Sequence, residues 1–224
     1  MKFPLCLFIL FIFAINQLHA SEEKILTAFE TLQIAQKQLG ERSGKHLLRI
    51  ETENAKLKPR FWWIRFYDDS LFFKARVVQM IGPEMMKNVE PANPFDGGNV
   101  EYVISPDQLK YDSDKVINFI ERAAKENKIP LHSINLRLEK PHPGESNPIW
   151  YSEWFSENRK SLGKLNVSAT TGKVTEVIGL KIKDPRFAGV SKKSFPENVE
   201  DTFLGIGADL EEFFTGKRTV DQKE

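Results

Sequence analysis

Two aromatic runs constrain the fold of this chain more than any other feature. Phe61-Trp62-Trp63-Ile64-Arg65-Phe66-Tyr67 and Ile149 to Phe155 are β-prone and read as strands. Successive side chains on a strand point to opposite faces. Trp62, Ile64 and Phe66 therefore share one face, with Trp63, Arg65 and Tyr67 on the other. Trp150, Ser152 and Trp154 likewise lie opposite Tyr151, Glu153 and Phe155. One face of each strand is expected to meet a helix, leaving large aromatics beside Arg65 or Glu153 on the other.

A helical pattern precedes each run. From Glu22 to Leu39, Ile25, Phe29, Leu32, Ala35 or Gln36, and Leu39 step by three and four, the period of one helix face. Gly40 and then Ser43-Gly44 end it. Leu48 and Ile50 alternate with Arg49 and Glu51 as a strand. After the first aromatic run, Asp68-Asp69-Ser70 forms a turn and Leu71 to Ile81 a strand, which Gly82-Pro83 breaks. Residues 88 to 112 are rich in Pro and Gly and read as a connection, with a short strand at Val100 to Ile104. Asp112 or Ser113 caps a second helix, because either side chain accepts from free backbone amides. Val116, Ile117, Ile120, Ala123 and Ala124 form its apolar face, and Pro130 stops it. Ile134, Leu136 and Leu138 alternate with polar residues as a strand. Beyond the second aromatic run come Leu165 to Ala169, a turn at Thr170 to Lys173, and Val174 to Ile182.

The halves echo each other. His46 and His132 begin equivalent strands, Trp62-Trp63 matches Trp150-Tyr151, and Gly82 matches Gly172, at offsets of 86 to 90 residues. A last helix is expected from about Asn198 to Phe214, with Val199, Phe203, Ile206, Leu210 and Phe213 on one stripe. The expected fold class is α+β, with two helix-plus-antiparallel-sheet units at 21–90 and 112–184. A linker at 91–111 joins them, an amphipathic helical segment follows at 185–216, and 217–224 is a disordered tail.

Residues 1–20 read as a secretory signal peptide. Lys2 is the only charge, an apolar run extends from Phe3 to Ile15, and Ala20 supplies a small residue at the cut site. That run is short of the ~20 residues a membrane span needs. The expectation is an exported chain, periplasmic or secreted if bacterial, with no stable membrane insertion after signal removal. The only cysteine, Cys6, lies in the signal, so the remainder holds itself together by core packing, without disulfides. The full chain is 41% hydrophobic with 17 Phe, most of them outside the signal, which gives the remainder the material to do so. Without Lys2 the charges balance at 31 of each sign, which argues against nucleic acid as the main partner. In a eukaryotic host, Asn166-Val167-Ser168 is a glycosylation acceptor.

Lys110-Tyr111-Asp112-Ser113-Asp114-Lys115-Val116 leads into the second helix, and Ala169-Thr170-Thr171-Gly172-Lys173-Val174 forms a hairpin turn. With the aromatic strand between them, these residues resemble the PepSY domain family. The first half resembles it in element order and has Met80-Ile81-Gly82-Pro83 where the family prefers Thr-Gly-Lys or Thr-Gly-Glu. The resemblance implies a small non-enzymatic domain of exported bacterial proteins, associated with restraint of peptidases or with binding in the cell envelope. It supplies no catalytic residue.

The residues themselves offer no catalytic constellation. No Ser sits in a Gly-x-Ser-x-Gly elbow, and Leu204 to Asp209 lacks the third Gly and the preceding strand of a dinucleotide loop. His46, His132 and His142 fit no zinc spacing. Asp68-Asp69, Asp112 with Asp114, and Glu211-Glu212 are accounted for by turns, caps and solvated helix faces. No cofactor, metal or catalytic residue is expected. The candidate binding surface is Trp63, Arg65, Tyr67, Tyr151 and Trp154, aromatics with an adjacent Arg being typical interface anchors. The bland alternative is a second packed layer, with the halves stacked sheet to sheet or covered by the last helix. The leading function is a non-catalytic exported binding protein holding a peptide or protein segment, through an open sheet edge with aromatic pockets. An exported peptidase is the partner the family implies. The rival is a structural or assembly protein of the cell envelope that forms a homodimer or larger complex through its aromatic faces.

Overall fold

The computed structural model describes residues 24–93 and 97–179 and the backbone of 191–193. The first helix, α1 (Ala28–Gly44), starts later than its periodicity predicts, because Thr27 caps it. Thr27 Oγ1 accepts from the Glu30 amide at 3.2 Å and the Glu30 carboxylate accepts from the Thr27 amide at 3.0 Å, a capping box. Gly40, at φ 77, kinks the helix instead of ending it. Four strands follow: β1 (His46–Ala55), β2 (Phe61–Tyr67), β3 (Ala75–Ile81) and β4 (Glu84–Val89). The second half opens with α2 (Ser113–Glu126), capped by Asp112, and continues with β5 (Ser133–Glu139), β6 (Ile149–Phe155), β7 (Ser161–Ser168) and β8 (Val174–Ile178). A short strand, β9 (Ser191–Lys193), pairs in parallel with β8.

The expected pair of helix-plus-sheet units is corrected by the strand order β4-β3-β2-β1-β5-β6-β7-β8-β9, a single sheet, antiparallel except at β9. The first strand of each half supplies the join: β1 pairs antiparallel with β5, matching Ile50 to Leu138 and Thr52 to Leu136. The halves therefore lie edge to edge and not sheet on sheet. Two α-helices are found among the described residues, and both pack on the same face. The signal segment, the expected C-terminal helix and the tail lie outside the described residues.

One apolar core runs beneath both helices and across the join. Leu32 and Ala35 of α1, Trp62, Ile64 and Phe66 of β2, Ile117 and Ile120 of α2, and Trp150 and Trp154 of β6 belong to the same buried cluster. The helix starts are tied together as well. Asp112 Oδ1 accepts from the Ser113 amide at 2.6 Å and from the Phe29 amide at 3.1 Å, while Ser113 Oγ accepts from the Ala28 amide at 2.9 Å. One carboxylate thus serves the exposed donors of two helix N-termini, where negative charge is favoured. Burial pushes the Asp112 carboxyl above its usual range, and hydrogen bonds with Thr27, Ser113 and Phe29 partly offset this. The Phe29 ring stacks on Trp150 at 6.1 Å, another contact between the halves.

The connection at 91–111 takes part in the core. It forms 3₁₀ turns at Val100–Tyr102 and Pro106–Gln108. In place of the expected short strand, a single bridge joins Ile104 to Leu47, with Ile104 buried. Strand β4 was not foreseen. It is one edge of the sheet, mostly exposed, and so lacks the apolar alternation that marks a half-buried strand.

Candidate functional site

The helices cover one face of the sheet, and strand alternation sends the intervening side chains to the other. Neighbouring strands match residue to residue, so these side chains form rows that cross the sheet. The central row runs Trp63 (β2), Glu51 (β1), Arg137 (β5), Tyr151 (β6), Asn166 (β7) and Glu176 (β8). On one side lies the row Arg65, Arg49, Glu139 and Ile149. On the other, Asn135, Glu153 and Lys164 are matched in sequence, with Glu53 two residues along β1 from Glu51.

Of the predicted surface residues, Trp63, Arg65, Tyr67 and Tyr151 share this helix-free face, each half-buried. Trp154 does not. It has the strand parity of Trp150 and Ser152, is 0% exposed beneath the helices, and donates from Nε1 to Ser152 Oγ at 3.2 Å. Trp154 is a core residue, and the alternation of β6 already placed it opposite Tyr151. Trp63 meets Phe61 edge to face at 5.1 Å, and Tyr67 meets His46 in the same way at 6.4 Å. The aromatic side chains of β2 are therefore braced by neighbours.

Charged residues outside the candidate surface fill the centre. The Glu139 carboxylate sits between two guanidiniums, with Arg49 Nη2 at 2.8 Å and Arg137 Nη2 at 3.1 Å. Arg49 also reaches Glu51 at 3.8 Å, and the Arg137 guanidinium lies 5.5 Å from the centre of the Tyr151 ring. Burial, reinforced by Glu139, raises the Tyr151 phenol above its ordinary value. Glu153 Oε1 accepts from Ser161 Oγ at 2.6 Å and lies 3.5 Å from Lys164 Nζ. Asn166 Nδ2 donates to Glu176 Oε2 at 2.8 Å. The signal for these residues was present in the polar positions of β1 and β5, where Arg49, Glu51 and Glu53 face Arg137 and Glu139.

The polar groups of this face are not all satisfied. Burial pushes the Glu53 carboxyl up to about 7, the nearby Glu51 carboxylate adds to the rise, and Arg137 partly opposes it. Buried side-chain atoms without a hydrogen-bond partner include Gln79 Oε1, Ser133 Oγ, Arg137 Nε and Glu153 Oε2, all on strand positions of the helix-free face. Thr52 Oγ1 and Trp62 Nε1 are the counterparts on the helix side. Leaving such groups unpaired costs ~1–3 kcal/mol each.

Among the described residues, no group of three or more His, Cys, Asp or Glu side chains is placed to hold a metal ion, and no helix is long and apolar enough to cross a membrane. No family model matches the chain, and no curated protein or solved structure shows significant similarity to it.

Proposed function

We propose that this chain is a non-catalytic exported binding protein that holds a peptide or protein segment on the helix-free face of its sheet. The observation that carries the reading is the gathering of Trp63, Arg65, Tyr67 and Tyr151 on one face around buried polar groups with unused hydrogen-bonding capacity. Braced aromatic side chains supply contact area at low entropic cost, and the charged rows between them supply register. The β4 edge offers less. Strand β4 carries an irregularity around Met86 and an exposed Lys87, devices that discourage strand addition. The resemblance of the second half to PepSY domains supports the same reading and makes an exported peptidase the first partner to try.

The test is photo-cross-linking from defined positions. A benzophenone amino acid in place of Trp63 or Tyr151 is expected to yield adducts with a component of the host's exported fraction. The same probe at Lys37, exposed on α1, is expected to yield none. Equal adducts from both faces, or none from Trp63 and Tyr151, would remove the helix-free face as the holding surface.

A further inference from the structure

We infer that the helix-free face receives a cationic group, a lysine side chain or a terminal amine of the held segment, between Glu53 and Glu153 over Asn135 and Ser133. The inference rests on the holding function proposed above and supplies its chemistry.

Two independent observations lead to it. Glu53 projects from β1 on this face, partly buried, and makes no hydrogen bond or ion pair; its electrostatic neighbours are Glu51 and Arg137. A desolvated carboxylate without a partner is costly. The second observation lies two strands away. Glu153 is 4% exposed, and its Oε2 has no partner although Oε1 is bonded to Ser161. Ser133, 2% exposed on β5, has an unpartnered Oγ. The register places Asn135 directly beside Glu153, and the Asn54 amide donates to Asn135 Oδ1 at 2.7 Å. That bond engages the Asn135 amide oxygen from the β1 side. Register thus gathers two carboxylates and a hydroxyl on one face of three adjoining strands, with Glu153 Oε2 and Ser133 Oγ holding unused acceptor capacity.

The cations already present do not fill that capacity. Arg137 pairs with Glu139 through Nη2 and lies 5.5 Å from the centre of the Tyr151 ring, Lys164 Nζ lies 3.5 Å from Glu153 Oε1, and Glu153 Oε2 makes no hydrogen bond. An incoming ammonium has three donors and no acceptor, which matches a site offering carboxylate and hydroxyl oxygens. Phe61, braced against Trp63 on the neighbouring strand β2, offers apolar surface for the methylene stem.

The experiment uses the full chain and an array of random extended peptides, each made in matched lysine and norleucine versions with blocked termini. The lysine versions are expected to be retained about tenfold or more over their norleucine partners. That preference is expected to disappear in Glu53→Gln. Glu153→Gln serves as a second variant, but Glu53→Gln keeps the test valid if the buried Glu153 is needed for folding, since Glu53 makes no bond that folding requires. Retention that ignores lysine and survives Glu53→Gln would overturn the cationic site while leaving the holding function intact. No retention of any peptide would overturn both.

Discussion

Replacing Glu53 by Gln should stabilise the fold in a pH-dependent way, and the size of the effect follows from its surroundings. Its carboxyl is raised from an ordinary 4.5 to about 7, by burial first and by Glu51 second. At ~1.36 kcal/mol per pH unit, a rise of that size corresponds to at most ~3.4 kcal/mol. The side chain is only partly buried, so screening reduces this to ~1–2 kcal/mol. The sign follows from proton linkage. A carboxyl with a raised folded-state pKa binds its proton more tightly when folded. The favourable contribution is therefore complete below about pH 4.5 and is lost as pH rises toward about 7. Glutamine cannot ionise and escapes the loss. Urea unfolding at about pH 4.5 and about pH 8.5 should give nearly equal stabilities for parent and variant at the lower pH, and a variant more stable by ~1–2 kcal/mol at the higher. A stability difference that does not change with pH, or a variant weaker at the higher pH, would refute the assignment of Glu53 as a desolvated, unpaired carboxylate.

Trp154→Ala should lower stability by ~3–5 kcal/mol, since it empties a fully buried site, whereas Trp63→Ala should leave the melting temperature nearly unchanged and weaken capture; calorimetry and cross-linking yield separate the two. Arg76→Leu should cost ~3–5 kcal/mol in denaturant unfolding. Burial pushes the Asp68 carboxyl up, but hydrogen bonds from Ser70 and from Arg76, whose Nη2 lies 2.9 Å away, outweigh it and hold the carboxyl below its usual range, so loss of Arg76 strands a buried charge. Gly172→Ala should destabilise by at least ~1 kcal/mol. Gly172 has φ 70, and an added Cβ would lie 2.2 Å from the Tyr111 ring, so thermal unfolding should show the loss and Tyr111→Ala should relieve part of it.

The elements were legible where a local period sets them. The apolar face of α2, the alternation of β5 and the faces of both aromatic strands could be read from residues within one turn or one strand. The shift of α1 was readable too, since Thr27 and Glu30 spell a capping box just inside the predicted start. The relation between the halves was not local. Nothing in Ile50 or Thr52 announces Leu138 and Leu136 as partners, because a strand edge carries the same backbone groups whatever lies beside it. Two similar units in sequence were therefore compatible with separate sheets or with one. Four of the five candidate residues share the helix-free face. The fifth, Trp154, has the parity of Trp150 and Ser152, and that parity carries it into the core. The charged centre was overlooked because ionic side chains on a strand usually mean only a wetted face, and their crowding becomes apparent only when β1 and β5 are side by side.

That join carries a consequence for function. Glu51 and Arg137 are register partners, Arg49 and Glu139 form an ion pair across the same junction, and it is this junction that sets Glu53 on the same face as Asn135 and Glu153. The binding face is thus divided between the two halves, and neither half alone would possess it. Nor would either half be a sound sheet, since separation would expose β1 and β5 as long central edges of a kind proteins avoid. The shared cap at Asp112 points the same way, because it ties the helix starts of both halves to one carboxylate. If the halves arose by duplication, the gain was a new surface at the seam, and the residues that distinguish one half from the other there are the ones to alter when changing what the face holds.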